Sequence, residues 1–152
     1  MSDDGGIVIG SEERAAMEHE ARRAYPEECC GILLGTVAGG RRTVRSVIPI
    51  RNARRDSARS RYLITPGDLL DAEKTARRDG TAIVGYFHSH PDVPPVPSLT
   101  DLKEATWPNT SYVILAVREG LVDEIRSWTL AEDRASMNEE PILAAGPPPT
   151  DP

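Results

Sequence analysis

Apolar positions along this 152-residue chain fall into short blocks whose spacing switches between two and about three and a half. That alternation predicts strands interleaved with helices. Ile7-Val8-Ile9 reads as a first strand. From Ser11 to Tyr25 the pattern is helical, with Ser11 as cap, Glu12 and Glu13 at the positive helix start and Pro26 as the stop. Gly31 to Val37 and Thr43 to Ile50 are extended runs joined at Ala38-Gly39-Gly40, which predicts a hairpin. A brief strand is expected at Tyr62 to Ile64. Thr65-Pro66-Gly67-Asp68 then opens a second helix, with Pro66 at its first position, that ends near Asp79-Gly80.

Thr81 to Phe87 is apolar and β-rich, the predicted central strand. A short helix follows from Leu99 to about Trp107. Ser111–Val117 and Leu121–Trp128 make a second hairpin over Arg118-Glu119-Gly120, and a minor strand is expected near Pro141 to Leu143. The fold class is therefore α/β, a mixed β-sheet packed with helices in a single domain over residues 1–143. Residues 51–60, rich in Arg, Ser and Asn, read as a mobile loop, and 144–152 as a disordered Pro-rich tail.

Composition changes this picture little. The chain is 39% hydrophobic and 28% charged, as ordinary globular proteins are. Its length suffices for a core without disulfide staples. An acidic, polar start (Met1-Ser2-Asp3-Asp4) is unlike a signal peptide, and no apolar run approaches a membrane span, so a cytoplasmic location is expected. Cys29 and Cys30 are neighbours; a bridge between them would be strained, so they do not report an oxidising compartment. They read as small residues entering a buried strand, or else as a thiol near a site.

A net charge of −6 argues against general nucleic-acid affinity. The charge is uneven, however: Arg41, Arg42, Arg45, Arg51, Arg54, Arg55, Arg59 and Arg61 gather with Asp56 among them. Such a run reads as a solvated loop and strand face, or as a docking surface for an acidic partner. Trp107 and Trp128 lack the basic, aromatic-interleaved setting of stacking platforms and read as core or cleft-wall residues.

The chemistry concentrates in His88-Ser89-His90-Pro91 and Ser98-Leu99-Thr100-Asp101. Two histidines at i, i+2 on an extended segment project to one side. A carboxylate eleven residues after the second can close on the same point. Two nitrogens and one oxygen are a ligand set that a catalytic zinc uses while leaving a position open for water. The alternative is two surface histidines beside a capping box, with Ser98 as cap and Asp101 at the third helical position. Hydrolysis on zinc also needs a base. Glu27 and Glu28 stand where helix gives way to a buried strand, a partly desolvated place suited to proton shuttling; equally, they suit a solvated helix end.

Together, Pro26-x-Glu28-x-Cys30-Gly31, His88-x-His90-Pro91 and Pro97-Ser98-x-x-Asp101 resemble the signature of the JAMM (MPN+) metalloproteases, most closely the small prokaryotic members of the Mec type. Similarity extends through Arg61-Tyr62-Leu63-Ile64, Ile83-Val84-Gly85 and Arg126-Ser127-Trp128, over most of residues 7–142. The resemblance implies the JAMM/MPN, cytidine-deaminase-like architecture. It implies His88, His90 and Asp101 as zinc ligands, Glu28 as general acid/base and Ser98 as oxyanion donor. It further implies a peptidase cutting the amide or isopeptide bond after the Gly-Gly tail of a sulfur-carrier or ubiquitin-like protein, releasing an amino acid such as cysteine. A deconjugase that frees protein lysines and a non-catalytic MPN-type scaffold are the alternatives. Base deamination would want His-x-Glu and Pro-Cys-x-x-Cys segments, which the chain lacks.

Overall fold

A computed structural model describes residues 5–51, 64–105, 107 and 109–145. The expected loop over 52–60, Arg54, Arg55, Arg59 and Arg61, the strand residues Tyr62 and Leu63, and the tail 146–152 lie outside the described residues. Eleven elements run in the order β1 (Ile7–Ile9), α1 (Ser11–Ala24), β2 (Cys30–Ala38), β3 (Arg41–Ile50), α2 (Pro66–Asp79), β4 (Ala82–Pro91), α3 (Leu99–Glu104), β5 (Ser111–Arg118), β6 (Leu121–Leu130), β7 (Met137–Glu140) and β8 (Ile142–Ala144).

The strands form one mixed sheet in the order β7-β6-β5-β4-β2-β3-β1-β8. Strands β7 and β8 occupy opposite edges, yet Pro141 alone separates them in the chain. The sheet must therefore curl until its edges meet, and the Ile7 amide donates to the Pro141 carbonyl at that seam, 3.0 Å away. Helix α1 packs its buried Met17 and Ala21 onto one face of the sheet, against Ile7, Leu33, Phe87, Val113 and Leu115. On the other face, Ala72 and Ala76 of α2 cover Ile32, Leu34, Tyr86 and Tyr112, and Leu102 of α3 joins them.

Local rules account for most boundaries. Helix α2 starts at Thr65, whose hydroxyl accepts from the Asp68 amide while the Asp68 carboxylate accepts from the Thr65 amide, a reciprocal capping box. It stops at Gly80, left-handed at φ 73°. Glu119 and Gly120 both take positive φ in the tight β5–β6 turn. Helix α1 corrects one expectation: Gly10 is its cap, and Ser11 is the first helical residue. Helix α3 ends at Glu104, three residues short of Trp107. Strand β7 was not predicted, because Met137-Asn138-Glu139-Glu140 carries almost no apolar signal. Ala144 pairs with Ile9 in β8, one residue past the predicted domain boundary.

Arg42 is a second correction. Instead of a solvated position in the basic run, it lies buried at the end of the sheet opposite the histidines, bonded to the Asn109 carbonyl and paired with Glu140. Arg41, Arg45 and Arg51 are exposed.

Candidate metal centre

Strand β4 carries the histidines inside the sheet rather than after it. It is flanked by β2 and β5, with Cys30 opposite His88 and Ala116 opposite His90. A bulge at Val84 shifts the alternation of β4, because Leu33 pairs with Gly85 while Leu34 pairs with Ile83. Tyr86 then faces the α2 side while Phe87 faces α1. With that phase, His88 and His90 emerge on the α2 and α3 side and Ser89 on the other. Gly85 has no room for a side chain: a Cβ there would lie 2.5 Å from the Ser111 carbonyl.

Asp101 arrives from α3. Ser98 caps this helix, its hydroxyl accepting from the Asp101 amide at 3.0 Å, while the Ser98 amide donates to Asp101 Oδ2 at 2.9 Å. Asp101 thus completes a capping box and at the same time faces both histidines. Its Oδ2 lies 3.0 Å from His90 Nε2, its Oδ1 lies 3.3 Å from His88 Nε2, and the two Nε2 atoms are 3.2 Å apart. The three side chains can converge on one ion.

Protonation makes the convergence informative. His90 Nδ1 stands 2.8 Å from the Pro94 carbonyl, which can only accept, so Nδ1 carries the proton. The Nε2 of a neutral His90 is then a bare lone pair aimed at a carboxylate oxygen. Burial holds the His88 imidazole below its ordinary pKa, against the pull of Asp101. Burial also pushes the Asp101 carboxyl up, but the two imidazoles beside it and the bond from the Ser98 amide outweigh it and hold it well below the usual range. Lone pairs facing lone pairs repel unless a cation sits between them. Donors about 2.0–2.1 Å from a tetrahedral ion stand roughly 3.3 Å apart, which the three separations approach. The residues fit a divalent ion.

Glu28 is buried at the mouth of β2, whereas Glu27 is exposed, which separates the acidic pair. It is not one of the three converging residues. Its segment is tied to the histidine strand: the Cys29 amide donates to Ser89 Oγ at 2.8 Å, and the Ser89 amide donates to the Cys29 carbonyl at 3.1 Å. A second tie runs from the Tyr25 hydroxyl to Asp92 Oδ2, 2.7 Å away. Asp92 is left-handed at φ 59° and also accepts from the Glu119 amide. Ser89, Tyr25 and Asp92 were not among the predicted site residues. For Ser89 a signal existed, since strand alternation turns it away from its histidine neighbours.

Both cysteines are buried and unbridged. Burial pushes the Cys29 thiol up to about 11, the behaviour of a packing residue rather than a reactive one. Trp128, partly buried against the core cluster under α2, donates its indole N–H to the Pro95 carbonyl at 3.1 Å. Trp107, expected to pack, is 50% exposed. Among the described residues no helix is long and apolar enough to cross a membrane.

Comparison with known proteins gives the same direction. A family model described as prokaryotic homologs of the JAB domain matches residues 10–131. The CysO-cysteine peptidase of Mycobacterium tuberculosis is 33% identical over 136 residues, covering 90% of this chain and 89% of the relative. A probable TtuB-protein conjugate cleaving protease of Thermus thermophilus is 37% identical over 121 residues, covering 80% and 71%. A solution structure of a Desulfitobacterium hafniense protein superposes with a TM-score of 0.81 at 31% identity, over 91% of this chain and 92% of that one. A JAB1/MPN domain protein from Archaeoglobus fulgidus shares the fold at a TM-score of 0.59 and 16% identity, over 94% of this chain and all of its own.

Proposed function

The chain belongs to the prokaryotic JAB-domain family, and from that premise we propose that it is a zinc-dependent peptidase. It hydrolyses the bond after the C-terminal Gly-Gly tail of a sulfur-carrier or ubiquitin-like protein and releases an amino acid such as cysteine. The observation that carries this reading is His90 Nε2 facing Asp101 Oδ2 at 3.0 Å, with its own proton committed to Pro94. Two imidazoles and one carboxylate favour zinc among common divalent ions and leave a coordination position for substrate or water. The M. tuberculosis relative supports the substrate class by its name. The cytoplasm, where such carriers work, is the proposed location.

In this reading His88, His90 and Asp101 hold the zinc, which when bound supplies Lewis acidity that polarises the scissile carbonyl and eases deprotonation of water. Glu28 takes the proton from the attacking water and returns it to the departing amine. Its buried place at the mouth of β2, next to Cys29 with its two hydrogen bonds to Ser89 of β4, keeps it close to the histidine strand. The Ser98 hydroxyl accepts from the Asp101 amide, so its own hydrogen is available to the carbonyl oxygen as negative charge builds there. Two glycines in the substrate tail would pass through a narrow approach without side chains to exclude.

Intact-mass measurement tests the proposal. The zinc-loaded protein is mixed with a sulfur-carrier protein bearing a C-terminal cysteine, with Glu28→Gln as blank. Loss of one cysteine residue with the enzyme and not with the blank supports trimming. No loss from zinc-loaded protein would refute trimming and leave the deconjugase reading, to which the T. thermophilus relative points. A protein that bound no zinc would instead be a scaffold.

A further inference from the structure

We propose that Trp128 is a positioning residue for the metal centre, acting on His90 through the Pro94-Pro95 dipeptide. The inference rests on the metal reading above. His90 donates Nδ1–H to the carbonyl of Pro94 at 2.8 Å, and Trp128 donates its indole N–H to the carbonyl of Pro95 at 3.1 Å. These two carbonyls are neighbours in the chain, and the link between them is unusually stiff. The peptide bond joining Pro94 to Pro95 is planar. The φ of Pro95 is locked by its ring. One soft torsion, the ψ of Pro95, remains. Holding the Pro95 oxygen therefore leaves the Pro94 oxygen only that torsion to move about, which narrows the direction in which it accepts from His90 Nδ1 and so steadies the imidazole.

The anchor is itself held within the sheet. Trp128 lies in β6, paired with Tyr112 on one side and Glu139 on the other, and its partly buried ring packs against the core cluster that α2 covers. Pro95 is buried. A phenyl ring would fill much of the same apolar space. What only the indole supplies is a donor, and it is spent on the loop that holds a metal ligand. Outer partners of metal-bound histidines typically change affinity 10–100-fold when removed. Trp128 acts one residue further out, so the low end of that range, about tenfold, is expected.

The test measures metal binding in the full chain, without substrate. Zinc affinity is read by competition with a chromophoric chelator, and the visible spectrum of the cobalt-substituted protein reports ligand geometry. Trp128→Phe should weaken zinc about tenfold and shift or broaden the cobalt bands. Pro95→Ala, which restores a soft φ, should weaken zinc several-fold with the indole intact. The double variant should be little worse than either single one, because both break the same link. Leu130→Ala, two residues along β6 in the same core, should lower thermal stability and leave zinc affinity and the cobalt spectrum unchanged. Wild-type affinity and spectrum in Trp128→Phe or in Pro95→Ala would overturn the inference. So would an equal loss in Leu130→Ala, which would mean general loosening. A wild-type protein that bound neither metal would refute the metal reading and this inference with it.

Discussion

Arg42 Nη1 and Glu140 Oε1 stand 3.4 Å apart, although four strands lie between theirs in the sheet. The pair is buried where the curled sheet closes, and it is saturated by other partners. Arg42 also donates to the Asn109 carbonyl and to Ser111 Oγ, and Glu140 accepts from the Ser127 hydroxyl at 2.6 Å. Removing one member of such a pair strands the other charge. Glu140→Ala should cost about 3 kcal/mol in urea denaturation, whereas Arg42→Met with Glu140→Met should recover most of it. A loss under 1 kcal/mol for the single variant would mean that the closure does not depend on this pair. Zinc affinity should hold throughout, since the histidines lie at the other end of the sheet.

Metal should be lost with its ligands. His90→Ala and Asp101→Ala are expected to bind no stoichiometric zinc by elemental analysis. Zinc at 100 times its dissociation constant stabilises the native state by about 2.7 kcal/mol. A strong chelator should therefore lower the melting temperature of the wild type and leave that of Asp101→Ala unmoved. Full zinc occupancy in either variant would break the ligand assignment.

Ser98 caps α3 and is proposed to donate to the oxyanion as well, and two substitutions can part these roles. Ser98→Ala removes the hydroxyl and the cap, and should cost about 1 kcal/mol of stability. Ser98→Gly costs a few tenths at a cap position. Both should lower kcat by roughly 10²–10³-fold if the hydroxyl stabilises the oxyanion. A Gly variant with near-normal kcat would assign Ser98 to capping alone.

Alkaline pH should expose the buried thiol. Cys29 ordinarily titrates near 9.0 and in the fold is pushed up to about 11 by burial. Between these values the folded protein holds a proton that the unfolded chain releases, so stability falls as pH rises. The slope is about 1.4 kcal/mol per pH unit, and the full contribution is present below pH 9. Urea melts from pH 8.5 to 10.5, a window chosen around that value, should show this decline, and Cys29→Ala should flatten it. Equal slopes in both proteins would place the titrating group elsewhere.

Much of this is legible in the amino-acid sequence. The meeting of His88, His90 and Asp101 and every strand with an apolar signal could be read, because their patterns are local or belong to a family signature. What stayed hidden depends on pairing across the sheet. Arg42 looks like one arginine among eight until β7 is placed, and β7 has no apolar pattern to announce it. Pro94 contributes a backbone carbonyl, which no side chain advertises. Trp128 reads from the sequence as a core or cleft-wall residue, but its indole donor acquires meaning only beside Pro95.

The single-residue bridge at Pro141 has a consequence in time. Ile7 finds one neighbour, β3, early in synthesis and the other, residues 142–144, only after nearly all the chain described here has been made. Until then both rims of the sheet are open, and long-range pairings of this kind are slow to form. A ribosome making this protein carries an unfinished ring for most of the message, and among the described strands the last to emerge is the one that fastens it.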